Sequence, residues 1–80
     1  IDSLGWAFFK LKKYEDAKKY LQRAVQLLPA DPTVNDHFGD VLWKSGKKIQ
    51  ARYYWNYVLN LETTKVDLKD NIKIKLISGI

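Results

Sequence analysis

The 80-residue chain has no cysteine and no methionine, and it contains only one histidine, two prolines and four glycines. Without cysteine there is no disulfide framework, no zinc finger and no thiol nucleophile. His37 alone does not make a multi-histidine metal site, and four dispersed glycines do not make a phosphate-binding loop. No apolar run approaches the roughly 18 residues that a membrane-spanning helix needs. These absences exclude most metal-dependent, nucleotide-binding and membrane-embedded functions.

Apolar side chains are plentiful, at 46% of residues, and the net charge is +5 from 14 basic and 9 acidic residues. This composition predicts one small folded domain. The charge surplus is spread along the chain, with +2 over residues 1–34, +2 over residues 35–65 and +1 over residues 66–80. Because a nucleic-acid-binding module usually concentrates its basic groups, the sequence disfavours nucleic acid. Binding of an anionic nucleic acid or membrane surface through the lysines stays an alternative.

An internal repeat of 34 residues is the most informative pattern in the chain. When the sequence is shifted by 34, small residues fall on small residues and large apolar residues on large apolar ones in nearly every case. The matched pairs are Leu4 with Phe38, Gly5 with Gly39, Phe8 with Leu42, Ala17 with Ala51, Leu21 with Trp55 and Leu27 with Leu61. Within each unit the apolar positions recur at helical spacing, so the sequence predicts two helices per unit.

Local signals mark where these helices begin and end. Asp31-Pro32 predicts a helix start, with aspartate as the N-cap and proline in the first turn. Gly46 predicts a left-handed residue just after the following helix. Residues 53–58 are aromatic and β-branched, and by propensity they favour a strand. The 34-residue register favours a helix there, and we adopt the helix.

This pattern resembles the tetratricopeptide repeat, a helix–turn–helix of 34 residues with the pattern W-x2-L-G-x2-Y, then A-x3-F, then P. The first unit supplies Leu4-Gly5, Phe8, Ala17, Leu21 and Pro29, and the second supplies Phe38-Gly39, Leu42, Ala51 and Trp55. The tryptophan positions hold Ile1 and Asn35, and the second proline position holds Thr63, which depart from the pattern. The resemblance covers residues 1–63. It implies an all-α, TPR-like α-solenoid of two helix-turn-helix repeats.

The last fifteen residues do not repeat the pattern. Thr64 and Asp67 suggest a capping box at a helix start, although the alternation over residues 72–76 also fits a strand edge. We expect a C-terminal capping helix, because a stack of repeats needs cover for its last apolar face. The expected layout is a first repeat over residues 1–31 that lacks its opening positions, a second over 32–65, and the capping helix over 66–80. The chain resembles the C-terminal part of a longer bacterial multi-repeat protein.

The resemblance also implies a concave groove, lined by the first helix of each unit, that holds a partner peptide or helix. The groove positions are Asp2, Trp6, Phe9 and Lys10 in the first unit, and Thr33, Asp36, Asp40, Trp43 and Lys44 in the second. The aromatic members fall off the packing stripes of their helices, as interface aromatics do. Packing against an upstream repeat is the alternative interpretation. The two aspartates, one turn apart, suit a basic partner or simply face solvent.

The sequence therefore predicts a protein–protein interaction module, a scaffold or adaptor that binds another protein. It predicts no catalytic residue, no metal site and no cofactor, and His37 is interpreted as a structural histidine. Two alternatives besides binding through lysines remain open. One is a purely structural end-cap of a longer repeat array, and the other is self-association through apolar surface on the N-terminal face.

Overall fold

The computed structural model describes residues 7, 9–11 and 13–80. Ala7, Phe9 and Lys10 are helical. Four helices follow, which we name α1 (Tyr14–Leu27), α2 (Pro32–Lys44), α3 (Lys48–Leu59) and α4 (Val66–Ser78). No strand occurs in the described part of the chain. The all-α fold that the repeat predicts is confirmed, and residues 53–58 and 72–76 are helical.

The helix starts follow the 34-residue spacing. α1 begins at Tyr14 and α3 begins 34 positions later at Lys48, while α2 begins at Pro32 and α4 begins 34 positions later at Val66. α2 packs between α1 and α3, and α4 packs on α3. α4 therefore takes the place of the first helix of a third unit, although its sequence does not carry the repeat pattern.

Both ends of α2 are fixed by the residues that the sequence singled out. The side chain of Asp31 accepts a hydrogen bond from the backbone N–H of Val34 at 3.0 Å, so it caps the first turn. At the other end Gly46 has φ of +84°, in the left-handed region. The N–H of Gly46 donates to Trp43 O at 3.0 Å and that of Lys47 donates to Leu42 O at 2.8 Å. This is a Schellman motif, and it sets the turn between α2 and α3.

The start of α4 differs from the expected capping box. Lys65 occupies the N-cap position and makes no side-chain capping hydrogen bond. Thr64 is buried instead, and its hydroxyl donates to Val58 O at 2.6 Å. The capping-box prediction was wrong, because this hydroxyl satisfies a carbonyl at the end of α3 rather than an N–H of α4.

Small residues sit where the helices cross. Ala17, Ala24 and Ala51 are fully buried, and a Cβ added at Gly39 would lie 2.5 Å from Nε1 of Trp55. α2 and α3 approach this closely only because position 39 has no side chain. The indole of Trp55, itself fully buried, fills the space that the glycine leaves. Gly5, the equivalent of Gly39 in the first unit, lies outside the described residues.

Candidate functional site

The two aspartates on α2 lie inside the molecule. Asp36 is 5% exposed and Asp40 is 4% exposed, because α4 covers them. Nζ of Lys75 on α4 lies 2.8 Å from Oδ1 of Asp36 and 2.9 Å from Oδ1 of Asp40. The basic partner that this pair suits is therefore present within the chain, and one ammonium group is shared by two carboxylates.

Asp40 also contacts the core. Nε1 of Trp55 donates to Oδ1 of Asp40 at 3.2 Å, and Nζ of Lys75 lies 5.8 Å from the centroid of the Trp55 ring. Burial and the neighbouring Asp36 raise the pKa of Asp40 to about 6, and they outweigh the opposing effects of Lys75 and His37. Burial disfavours the charge of Lys75, but the two carboxylates outweigh burial and raise the pKa of Lys75.

Trp43 is half-buried near the C-terminal end of α2. Its indole stacks on Trp55 with ring centroids 5.4 Å apart, and the six-membered part of the ring lies against Gly79, just beyond α4. Two cations from α3 lie over the Trp43 ring. Nζ of Lys48 is 5.0 Å from the centroid, and Cζ of Arg52 is 5.7 Å from it.

The other expected groove residues have different positions. Thr33 and Lys44 are exposed near opposite ends of α2, and Nζ of Lys44 donates to the backbone oxygen of Ile80 at 3.3 Å. Phe9 is half-buried and packs on Tyr14 with ring centroids 5.6 Å apart, whereas Lys10 is exposed. Asp2 and Trp6 lie outside the described residues.

The geometry agrees with a comparison against protein families, in which residues 3–31 match the tetratricopeptide repeat family. The chain contains a tetratricopeptide repeat. Such repeats generally mediate protein–protein interaction, and their family typically provides non-enzymatic scaffolds. A search of curated proteins gives no match, and neither does a search of solved structures.

Sequence analysis did not single out three basic residues that contact the site, Lys75, Lys48 and Arg52. Each could have been found from a pattern in the sequence. Lys75 lies 34 positions after Val41, which is fully buried, so the register of the tetratricopeptide repeat points to an inward lysine. Lys48 and Arg52 belong to a stretch, residues 41–61, that contains no aspartate or glutamate. The net charge was summed over longer blocks that include acidic residues, so the sum did not reveal this local excess of positive charge.

Two other site classes receive no support within the described residues. No group of three histidine, aspartate or glutamate side chains is placed there to hold a metal ion. None of the helices in this part of the chain is long and apolar enough to cross a membrane. The features that distinguish the surface are the aromatic rings and the basic side chains beside them.

Proposed function

We propose that the chain is a protein-binding module of a scaffold or adaptor, and that a partner peptide or helix lies along the first helices of the repeats. The observation that carries this proposal is a recurring pair. Phe9-Lys10 and Trp43-Lys44 are 34 positions apart, and in each pair a half-buried ring precedes an exposed lysine. This recurrence supports a binding surface that has one ring and one lysine in each repeat.

In this proposal the rings supply apolar contact area and the lysines select the orientation of the partner. Thr33 contributes a polar contact near the start of α2, and Asp2 and Trp6 extend the surface into the first unit. Asp36 and Asp40 act indirectly. They hold α4 against α2 through Lys75, and α4 then forms one wall of the binding surface.

We propose further that α4 closes the array as a capping helix, with repeats over residues 1–31 and 32–65 and the cap over 66–80. Lys73 stands 34 positions after Gly39. At Gly39 even a single Cβ would come within 2.5 Å of Trp55, so a lysine at the corresponding position disfavours a further helix packed as α3 packs on α2. Lys73 is exposed, as a capping helix requires.

Site-specific photo-crosslinking tests the binding surface. A photoreactive residue replaces exposed Lys44 in one variant and exposed Asn56 of α3 in a matched control, each in the cells that make the protein. A protein adduct from position 44 that is absent from position 56 supports the proposal. Recovery of nucleic acid instead supports binding through the lysines, and no adduct from position 44 supports a purely structural end-cap.

A further inference from the structure

A basic cluster surrounds Trp43 at the turn between α2 and α3. It consists of Lys44, Lys48 and Arg52, and we call it the Trp43 cluster. Lys48 and Arg52 lie one helical turn apart and both reach the same indole, at 5.0 and 5.7 Å from its centroid. All three basic residues are exposed. Because the ring holds two of the cations in place, less side-chain entropy is lost when they bind an anion.

No carboxylate neutralises the Trp43 cluster in the described part of the chain. Residues 41–61 and 71–80, which supply the turn, α3 and the C-terminal half of α4, contain no aspartate or glutamate. The ion pairs of Asp36 and Asp40 are made with Lys75. Glu15 and Asp16 at the start of α1 form no ion pair with the cluster within the described residues. The cluster therefore presents uncompensated positive charge.

Helix stability does not explain the position of Lys48. Lys48 is the first residue of α3, whose first turn holds no acidic residue, and positive charge at that end opposes the helix dipole. Lys44 lies in the last turn of α2, where its charge favours the dipole. Ile49, next to Lys48, is 84% exposed. Tryptophan and arginine are enriched in protein interfaces, and Trp43 and Arg52 lie together here with an exposed apolar side chain beside them.

We propose that the Trp43 cluster binds an acidic segment of a partner protein, in which carboxylates flank an apolar side chain that packs on Ile49. This proposal rests on the proposed function and names the chemistry of the partner. The carboxylates pair with Lys44, Lys48 and Arg52, none of which forms an ion pair with an aspartate or glutamate among the described residues. Lys44 keeps its hydrogen bond to the backbone oxygen of Ile80 until the partner binds.

The charge pattern favours an acidic peptide over nucleic acid. The N-terminal ends of α2 and α4 meet at a cleft of about 340 Å³, whose charged lining residues are Asp31, Asp67 and Lys65, with a net negative charge. Negative charge there interrupts any continuous basic track across a molecule only 28 Å in its longest dimension. A nucleic-acid backbone gains affinity from many phosphate contacts along such a track, whereas a short acidic segment needs only the cluster.

The test is a fluorescence-anisotropy titration of the 80-residue chain with a labelled polyglutamate peptide that carries one central leucine. Lys48→Gln with Arg52→Gln removes two charges of the cluster. Lys19→Gln with Arg23→Gln removes two exposed charges at the same spacing on α1 and serves as the matched control. We expect the first pair to weaken binding about tenfold, since two charge contacts of this kind sum to about that factor. The control pair changes the affinity less than about twofold.

Four results would overturn the proposal. Two concern the peptide: it does not bind, or both pairs of substitutions weaken its binding equally, which indicates an effect of net charge alone. The third is tighter binding of single-stranded DNA or anionic vesicles than of the peptide. The fourth is loss of self-association in the Lys48→Gln/Arg52→Gln variant, which indicates that a second copy of the chain occupies the site. A protein adduct from position 44 together with any of these keeps the proposed function and removes only the acidic partner. Absence of that adduct removes the proposed function independently of the titration.

Discussion

The second helices of the two repeats begin at equivalent positions with opposite charge. After Tyr14 in α1 come Glu15 and Asp16, and after Lys48 in α3 come Ile49 and Gln50. The helix crossings inside the two repeats are alike, because a fully buried alanine, Ala17 or Ala51, lies at each. Packing dictates the residue type at a crossing, whereas the first turn of an exposed helix is free to carry a feature that does not serve stability.

The shared interior is tested by overpacking both crossings. Ala51→Leu, and separately Ala17→Leu, inserts a large side chain where no solvent reaches the native one. We expect each to lower the free energy of unfolding by about 1–3 kcal/mol, measured by urea unfolding. Gln50→Leu adds an exposed leucine next to Ala51 and should change stability by less than about 0.5 kcal/mol. If Ala51→Leu leaves the unfolding midpoint unchanged, the crossing is misplaced.

The buried charge of α2 is tested with Asp40→Asn. The asparagine oxygen still accepts from Trp55 and Lys75, as Oδ1 does at 3.2 and 2.9 Å, and Lys75 keeps Asp36 as an equal and opposite charge. The amide nitrogen replaces Oδ2, which accepts from Lys75 at 3.2 Å, so one hydrogen bond is lost. We expect stability at pH 7 to rise by about 1 kcal/mol, because removal of a carboxylate that is costly to ionise outweighs the lost hydrogen bond.

The sign of the pH dependence follows from the raised pKa of Asp40. Its folded value of about 6 lies above the ordinary 3.8, so the folded state binds the proton more tightly between these values. Stability from this group is therefore greatest on the acidic side, and it falls as the pH rises from about 4 to about 6. Unfolding of both proteins across this range should show the fall in the parent chain and a smaller one in Asp40→Asn. Equal pH dependence in the two would contradict the assignment.

The prediction with the smallest expected effect concerns the first turns of α1 and α3. Ile49→Glu with Gln50→Asp transfers the acidic first turn of α1 to α3. Each carboxylate should stabilise the helix by about 0.3–1 kcal/mol, seen as a higher melting temperature, while the affinity for the acidic peptide falls. Opposite movement of the two measurements is the expected result. Ile49→Ser with Gln50 unchanged controls for loss of the apolar side chain, and stabilisation by that variant would refute the dipole explanation.

The fold was predictable because its determinants are local or recur at fixed spacing. Asp31 and Gly46 mark the ends of α2 by their own chemistry. The 34-residue register outweighs the strand propensity of residues 53–58, because burial of Trp55 and Val58 requires a helical period. Thr64 was misassigned, since whether a hydroxyl caps the next helix or bonds the previous one depends on how the chain returns after α3.

The candidate site was less predictable, because its members come together only through folding. Lys75 is 35 positions from Asp40 and 39 from Asp36, and it reaches them because α4 packs as a further first helix would. The positive charge of residues 41–61 could be read from the sequence. The position of Lys48 and Arg52 over the Trp43 ring could not, because it depends on the fold. The placement of Trp43 against Trp55 and Gly79 depends on three separate segments.

The stacked pair of indoles has an optical consequence. Trp43 and Trp55 lie 5.4 Å apart with ring planes inclined by 28°, in a fixed, chiral arrangement that Gly79 helps to close. Near-ultraviolet circular dichroism arises from aromatic rings held in such fixed surroundings and is lost when tertiary packing is lost. Release of the C-terminal helix would therefore change this spectrum while the far-ultraviolet signal of the helices persists. The chain contains its own spectroscopic probe of whether α4 is docked.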